Sequence, residues 1–169
     1  WTHVQTTVLP IIVYRLVDGK VWAESYVFLS DDLKHDNDFV RHCVGVLVED
    51  LKGNGAAVSA VHFWSDGCGA QFKLQKQFYF VSQPEIFLPG GGKHTVKMAH
   101  YFFCSCHGKG PSDAETGVTK TKGRTLENNN KYMARPIDVY HGVKEKLEDL
   151  QPVPADKKQW HSLRQRKFY

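Results

Sequence analysis

The dipeptide Asp18-Gly19 constrains this chain more than any other feature. It lies between residues 2–16 and 21–29, two runs rich in β-branched and apolar residues. Asp-Gly supplies the positive φ angles of a two-residue hairpin turn, and the flanking runs favour extended backbone. An antiparallel hairpin is therefore expected at the front of the chain. Polar residues 30–38 follow, with Asp36, Asn37 and Asp38 available as helix caps. Apolar residues at helical spacing then predict a helix over 39–51, ended by Gly53-Asn54-Gly55.

Beyond that helix the pattern alternates. Residues 58–64 are almost continuously apolar and predict a strand buried on both faces, with Trp64 in the core. Residues 70–81 predict a helix, Pro89-Gly90-Gly91-Gly92 a flexible loop, and 95–103 another strand. Cys104 to Pro111 reads as a compact glycine-rich loop, and a helix opens near Ser112. Residues 121–135 read as polar and irregular, and a last helix starts at Pro136 and ends before Pro152. A hairpin followed by alternating helices and strands implies an α/β chain with a mixed sheet and helices on both faces.

Bulk properties narrow the class without naming a function. The length of 169 residues suits one domain, and 41% apolar with 24% charged residues excludes a wholly disordered chain. No apolar run reaches membrane-spanning length, so no membrane partner is expected. The four cysteines, Cys43, Cys68, Cys104 and Cys106, do not make a disulfide framework and read as thiols of a reducing compartment. The net charge of +4 is concentrated in residues 151–169, where Lys157, Lys158, Arg164, Arg166 and Lys167 face one acid, Asp156. That segment reads as a basic tail or linker after a core spanning 1–150. With Trp160, Phe168 and Tyr169 it suits a phosphate backbone, and equally a solubilising terminus.

Two segments carry chemistry. Asp66 stands where the apolar strand stops, in Trp64-Ser65-Asp66-Gly67-Cys68-Gly69-Ala70-Gln71-Phe72-Lys73. Ligands of open α/β sheets gather beyond the carboxyl ends of strands, and a carboxylate there suits a hard divalent ion. Asp-Gly is also an ordinary turn pair. The second segment is His107-Gly108-Lys109-Gly110-Pro111-Ser112-Asp113. Its glycines permit close approach of backbone to ligand, and Asp113 falls in the first turn of the next helix. A structural account competes here: Ser112 and Glu115 fit a capping box, and an acid in a first turn complements the helix dipole.

Together these segments resemble eukaryotic transposon-derived proteins with a DDE-type transposase core of ribonuclease-H-like fold. That family pairs S-D-G-x-x-x-Q-[FY]-K with H-G-K-G-x-x-D across a Phe-rich strand, here Ala99-His100-Tyr101-Phe102-Phe103. The likeness runs from Trp1 to about Lys120 and is specific in the two motifs. It implies metal-dependent DNA cleavage and strand transfer by two Mg²⁺ or Mn²⁺ ions, with transposon ends and target DNA as partners. It also implies a nuclear location and leaves room for a homo-oligomer. Asp66 matches the second catalytic carboxylate and Asp113 the third. Gln71, Lys73, His107, Lys109 and Lys120 match polar positions expected to meet DNA, Gln71 and Lys73 from a helix after Asp66. The first strand and first carboxylate are expected upstream of Trp1, so this stretch alone is expected to be inactive.

Two other readings stand beside it. One is a non-catalytic, transposon-derived DNA-binding protein. The other is a zinc-stabilised interaction domain using Cys68, Cys104, Cys106 and His107, although Cys-x-Cys-His is tighter than the usual zinc spacing. The remaining histidines, at 3, 35, 42, 62, 94, 100, 141 and 161, show no ligand spacing and read as surface or satisfied core residues.

Overall fold

A computed structural model describes residues 5–103, 110–129, 135–148 and 165–169. In chain order the elements are β1 (Thr7–Val17), β2 (Lys20–Ser30), α1 (Asn37–Gly53), β3 (Ala60–Ser65), α2 (Gln75–Ser82), β4 (Glu85–Phe87), β5 (Lys93–Thr95), β6 (Lys97–Phe102), α3 (Pro111–Asn128), α4 (Pro136–Leu147) and β7 (Gln165–Phe168). The chain is mixed α/β and divides into two compact units, Trp1–Leu33 with Lys109–Tyr169, and Lys34–Gly108. Among the described residues no helix is long and apolar enough to cross a membrane.

In the first unit the expected hairpin forms, with Thr7 opposite Ser30 and Val17 opposite Lys20. Its turn needs left-handed backbone twice, at Asp18 (φ 50°) and Gly19 (φ 75°), as the Asp-Gly pair predicts. β1 lies at the edge of the sheet β1-β2-β7, which suits Pro10, a residue with no N–H to donate. β2 is central and buried from Ala23 to Phe28. Arg15 Nε donates to the buried Glu24 carboxylate at 2.9 Å, and Tyr26 Oη donates to the same carboxylate at 3.2 Å.

The third strand corrects the sequence reading of a tail. Residues 165–168 pair parallel with β2, Glu24 opposite Gln165 and Val27 opposite Phe168. Phe168 joins Val27, Leu126 and Val143 in a core cluster, with Val8, Leu29, Val139, Tyr140 and Leu147 against it. Segment composition hid this: three of the four strand residues are Gln, Arg and Lys, and the buried anchor is one aromatic. Of the other tail residues named above, Asp156, Lys157, Lys158, Trp160 and Arg164 lie outside the described residues. α3 is also longer than expected, running through most of the stretch read as irregular. Its low apolar content obscured the period, but Leu126 reaches the core and holds the last turn.

In the second unit α1 is capped by Asp36, whose side chain accepts from Phe39 N at 3.1 Å. Val40, Cys43, Val44, Leu47, Val48 and Leu51 form its buried stripe. Burial pushes the Cys43 thiol up to about 12, so it is an inert core residue. The glycine-rich stretch after Pro89 is the turn of a short β4–β5 hairpin, with Gly91 and Gly92 at positive φ. Glu49 of α1 holds that turn, accepting from Gly90 N at 3.1 and 3.2 Å.

Gly45 is what lets α1 and β4 approach. A β-carbon there would lie 2.7 Å from the Phe87 carbonyl oxygen and 3.2 Å from Pro89 Cδ. Gly45→Ala should therefore cost about 1–3 kcal/mol despite alanine's better helix propensity, because a backbone oxygen has to move. Gly53→Ala, at the open end of the same helix with nothing within 4 Å, should instead gain about 0.5 kcal/mol. Urea unfolding of the two variants measures the opposite signs.

Candidate functional site around Asp66

β3 and β6 run parallel, with Ala60 opposite Lys97 and Ser65 opposite Phe102. Asp66 is the first residue past the carboxyl end of β3 and is exposed. Its carboxylate Oδ1 accepts from Cys68 N at 3.0 Å, and its backbone carbonyl accepts from Ser65 Oγ at 2.8 Å. Both bonds shape the loop; Oδ2 has no hydrogen-bond partner among the described residues.

The residues after Asp66 are not helical, which corrects the expected helix over 70–81. Phe72 N and Lys73 N both donate to Cys68 O, at 2.8 and 3.1 Å, closing a turn, and α2 begins only at Gln75. Gly67 and Gly69 explain the miss: they let the chain coil tightly before any regular helix starts. Lys73 nevertheless comes close to the acid's loop. Its Nζ lies 2.9 Å from where a β-carbon on Gly67 would be, and 5.1 Å from the centroid of the Phe102 ring. Lys73 is exposed, whereas Gln71 is half-buried and its carbonyl accepts from Asn37 Nδ2 at 2.9 Å.

β3 is not buried on both faces. Val61, Phe63 and Ser65 alternate with the exposed Ala60, His62 and Trp64. Trp64, expected in the core, is 60% exposed. It stacks on Tyr101 at 4.7 Å and on Phe103 at 6.0 Å, while His62 stacks on Tyr101 at 5.9 Å. The run looked almost continuously apolar because two of its three outward positions, Ala60 and Trp64, are apolar; apolar residues on a surface are indistinguishable by composition from a core.

Behind Asp66 lies a polar set that the sequence reading did not assemble. His100 of β6 sits among Phe63, Phe72 and Phe102, and burial pushes its imidazole below the ordinary value. Its Nε2 is 2.8 Å from Ser65 Oγ, and its Nδ1 is 3.1 Å from Gln77 Nε2. Gln77 Oε1 accepts from Asn37 Nδ2 at 2.7 Å. The available signal was Gln77, a polar residue on the buried side of a helix, together with a histidine inside an aromatic strand.

Asp113 belongs to the other unit. α3 starts earlier than expected: Gly110 is the cap, Pro111 the first helical residue, and Asp113 Oδ2 accepts from Gly110 N at 3.0 Å. The capping position expected for Glu115 is therefore held by Asp113, which is exposed. Glu115 is buried and ion-paired to Arg166. Lys120 is exposed midway along α3. His107 and Lys109, with Cys104 and Cys106 of the zinc alternative, lie outside the described residues; Cys68 is exposed and free.

Oxygen donors such as Asp66 and Asp113 fit Mg²⁺ or Mn²⁺ by hardness. Each has one oxygen engaged with backbone and one remaining, so neither is consumed by its structural bond. Among the described residues no three histidines, cysteines or acids gather as a ready-made metal cluster.

A family described as a domain of unknown function, DUF8701, matches residues 1–167. No curated protein and no solved structure matches the chain.

Proposed function

The chain belongs to the DUF8701 family, and from that premise we propose, on its own residues, that it is part of a DDE-type, ribonuclease-H-like DNA transposase core. In this reading Asp66 is a metal-binding carboxylate of a two-metal site. The chemistry is cleavage and strand transfer of DNA phosphodiesters. Bound Mg²⁺ or Mn²⁺ would activate the attacking water or 3′-hydroxyl and stabilise the leaving oxygen. The carboxylates act as ligands, and Lys73 meets a phosphate.

The observation that carries this reading is the position of Asp66. It is an exposed acid immediately past the carboxyl end of a strand in a parallel pair, with a lysine folded back over the next residue. That is where open α/β sheets hold their ligands. The partner strand β6 ends level with it. The S-D-G and H-G-K-G segments supply the resemblance to DDE-type transposases. Asp113, which the resemblance matches to a third carboxylate, caps its own helix by accepting from Gly110 N.

The test uses the protein as expressed from its gene, assayed for nicking of duplex DNA with Mn²⁺ and, separately, for Mn²⁺ binding. Asp66→Asn keeps the size and the Oδ1 acceptor, so the fold should persist by circular dichroism. Nicking should fall to background and Mn²⁺ binding should weaken. Retained nicking in the Asn variant would reject Asp66 as a ligand. Parent protein that binds DNA but neither nicks it nor takes up Mn²⁺ would favour a transposon-derived DNA-binding module instead.

A further inference from the structure

We infer that Asn37, Gln77, His100 and Ser65 form a single directed hydrogen-bond relay that straps the Asp66 loop at both ends, making His100 and Ser65 positioning residues for Asp66. The use of that positioning for metal binding rests on the function proposed above; the relay itself does not.

The direction of every bond is forced by two backbone carbonyls. Asn37 Nδ2 donates to Gln71 O at 2.9 Å, which fixes the orientation of the Asn37 amide, since a carbonyl can only accept. The same amide group donates its other proton to Gln77 Oε1 at 2.7 Å. Gln77 must then present Nε2 to His100 Nδ1 at 3.1 Å, so Nδ1 accepts and carries no proton. The imidazole proton is on Nε2, which donates to Ser65 Oγ at 2.8 Å. Ser65 in turn donates to Asp66 O at 2.8 Å.

The relay begins on Gln71 O and ends on Asp66 O. Both belong to the one irregular loop between β3 and α2, the loop whose Gly67 and Gly69 would otherwise leave it free. Its anchors come from four different elements: Asn37 from α1, Gln77 from α2, His100 from β6 and Ser65 from β3. Asn37 is 1% and Gln77 2% exposed, so water does not compete at that end. Phe63, Phe72 and Phe102 surround the imidazole and hold its plane. Buried polar groups linked in this way rigidify what they touch, because each broken bond leaves an unsatisfied partner. Here what they touch is the backbone of the candidate ligand.

Outer partners that orient a metal ligand are worth roughly 10–100-fold in affinity when removed. Ser65→Ala removes only the link from His100 to the loop and leaves the buried amides intact. It should weaken Mn²⁺ binding by about tenfold and accelerate hydrogen exchange of the Cys68 amide, which donates to Asp66 Oδ1. Ser65→Thr restores the hydroxyl and should restore both. Nitrogen-15 NMR of the unmodified protein should find His100 as the Nε2–H tautomer. A His100 proton on Nδ1, or Cys68 exchange unchanged in Ser65→Ala, overturns the relay. Unchanged Mn²⁺ affinity in Ser65→Ala, where Asp66→Asn does lose it, overturns the positioning role. If Asp66→Asn itself leaves Mn²⁺ binding intact, the metal reading fails, and the tautomer and exchange results still decide the relay.

Discussion

Arg166→Ala is expected to destabilise the first unit by about 3–5 kcal/mol, the usual cost of stranding one member of a buried ion pair. Glu115 is 2% exposed on α3, and the Arg166 side chain on β7 is 14% exposed, so neither charge is screened by bulk water. The pairing is two-pronged: Arg166 Nε donates to Glu115 Oε1, and a second guanidinium nitrogen reaches Oε2 at 3.3 Å. The remaining nitrogen donates to Leu147 O at 3.3 Å, at the end of α4. One side chain thus ties a strand to two helices. Removing it leaves a buried carboxylate and a helix-terminal carbonyl without a partner, against a total stability of only about 5–15 kcal/mol for a typical domain. Glu115→Leu combined with Arg166→Met removes both charges and should be far milder than Arg166→Ala, since the attraction in such a pair largely offsets its own desolvation. Urea unfolding followed through the amides of β2 measures both. A loss below about 1 kcal/mol for Arg166→Ala would mean that water reaches Glu115 and that the pair behaves as a surface one.

What the sequence made legible follows from how local each signal was. The Asp18-Gly19 hairpin, a helix cap among residues 36–38 and the Pro136 helix start are each set within a few residues, and all three stand in the structure, with Asp36 as the cap. The parallel strand pair was also within reach, because alternation of helices and strands implies crossovers, but β3 and β6 form a two-stranded sheet of their own and do not join the hairpin in the one mixed sheet expected. The errors share a different origin. Trp64 reads as core because hydrophobicity does not say which side of a strand faces outward. The second half of α3 reads as irregular because a helix anchored by a few buried residues such as Leu126 has little apolar periodicity. β7 reads as tail because its pairing partner lies about 140 residues away in sequence. For the site, Asp66 was visible from its place after an apolar run. The relay behind it was not, since Asn37, Gln77 and His100 come from three separate segments and only folding brings them into line.

Phe168→Ala is the sharpest test of whether residues 165–169 belong to the fold, and it should cost about 3–5 kcal/mol, the usual range for emptying a buried phenylalanine site. Phe168 is 2% exposed, and its cluster draws on β2, α3 and α4. Its strand also supplies ladder bonds that a solvated tail would not make: Tyr169 N donates to Val27 O at 3.0 Å, and Leu29 N donates to Tyr169 O at 2.9 Å. The expected loss changes how a DNA-binding role for the basic segment has to be tested. Deleting residues 151–169 would remove β7 and the Arg166 partner of Glu115 along with the charge, so weaker binding would report unfolding as readily as lost phosphate contacts. Charge and structure separate cleanly only if Lys157, Lys158 and Arg164 are neutralised while Arg166, Lys167 and Phe168 stay. On the proposed reading those three substitutions should flatten the salt dependence of DNA affinity. The alanine at 168 should instead lower the thermal midpoint steeply while leaving every charge in place. A Phe168→Ala chain as stable as its parent would return these residues to the solvent and take the third strand from the sheet.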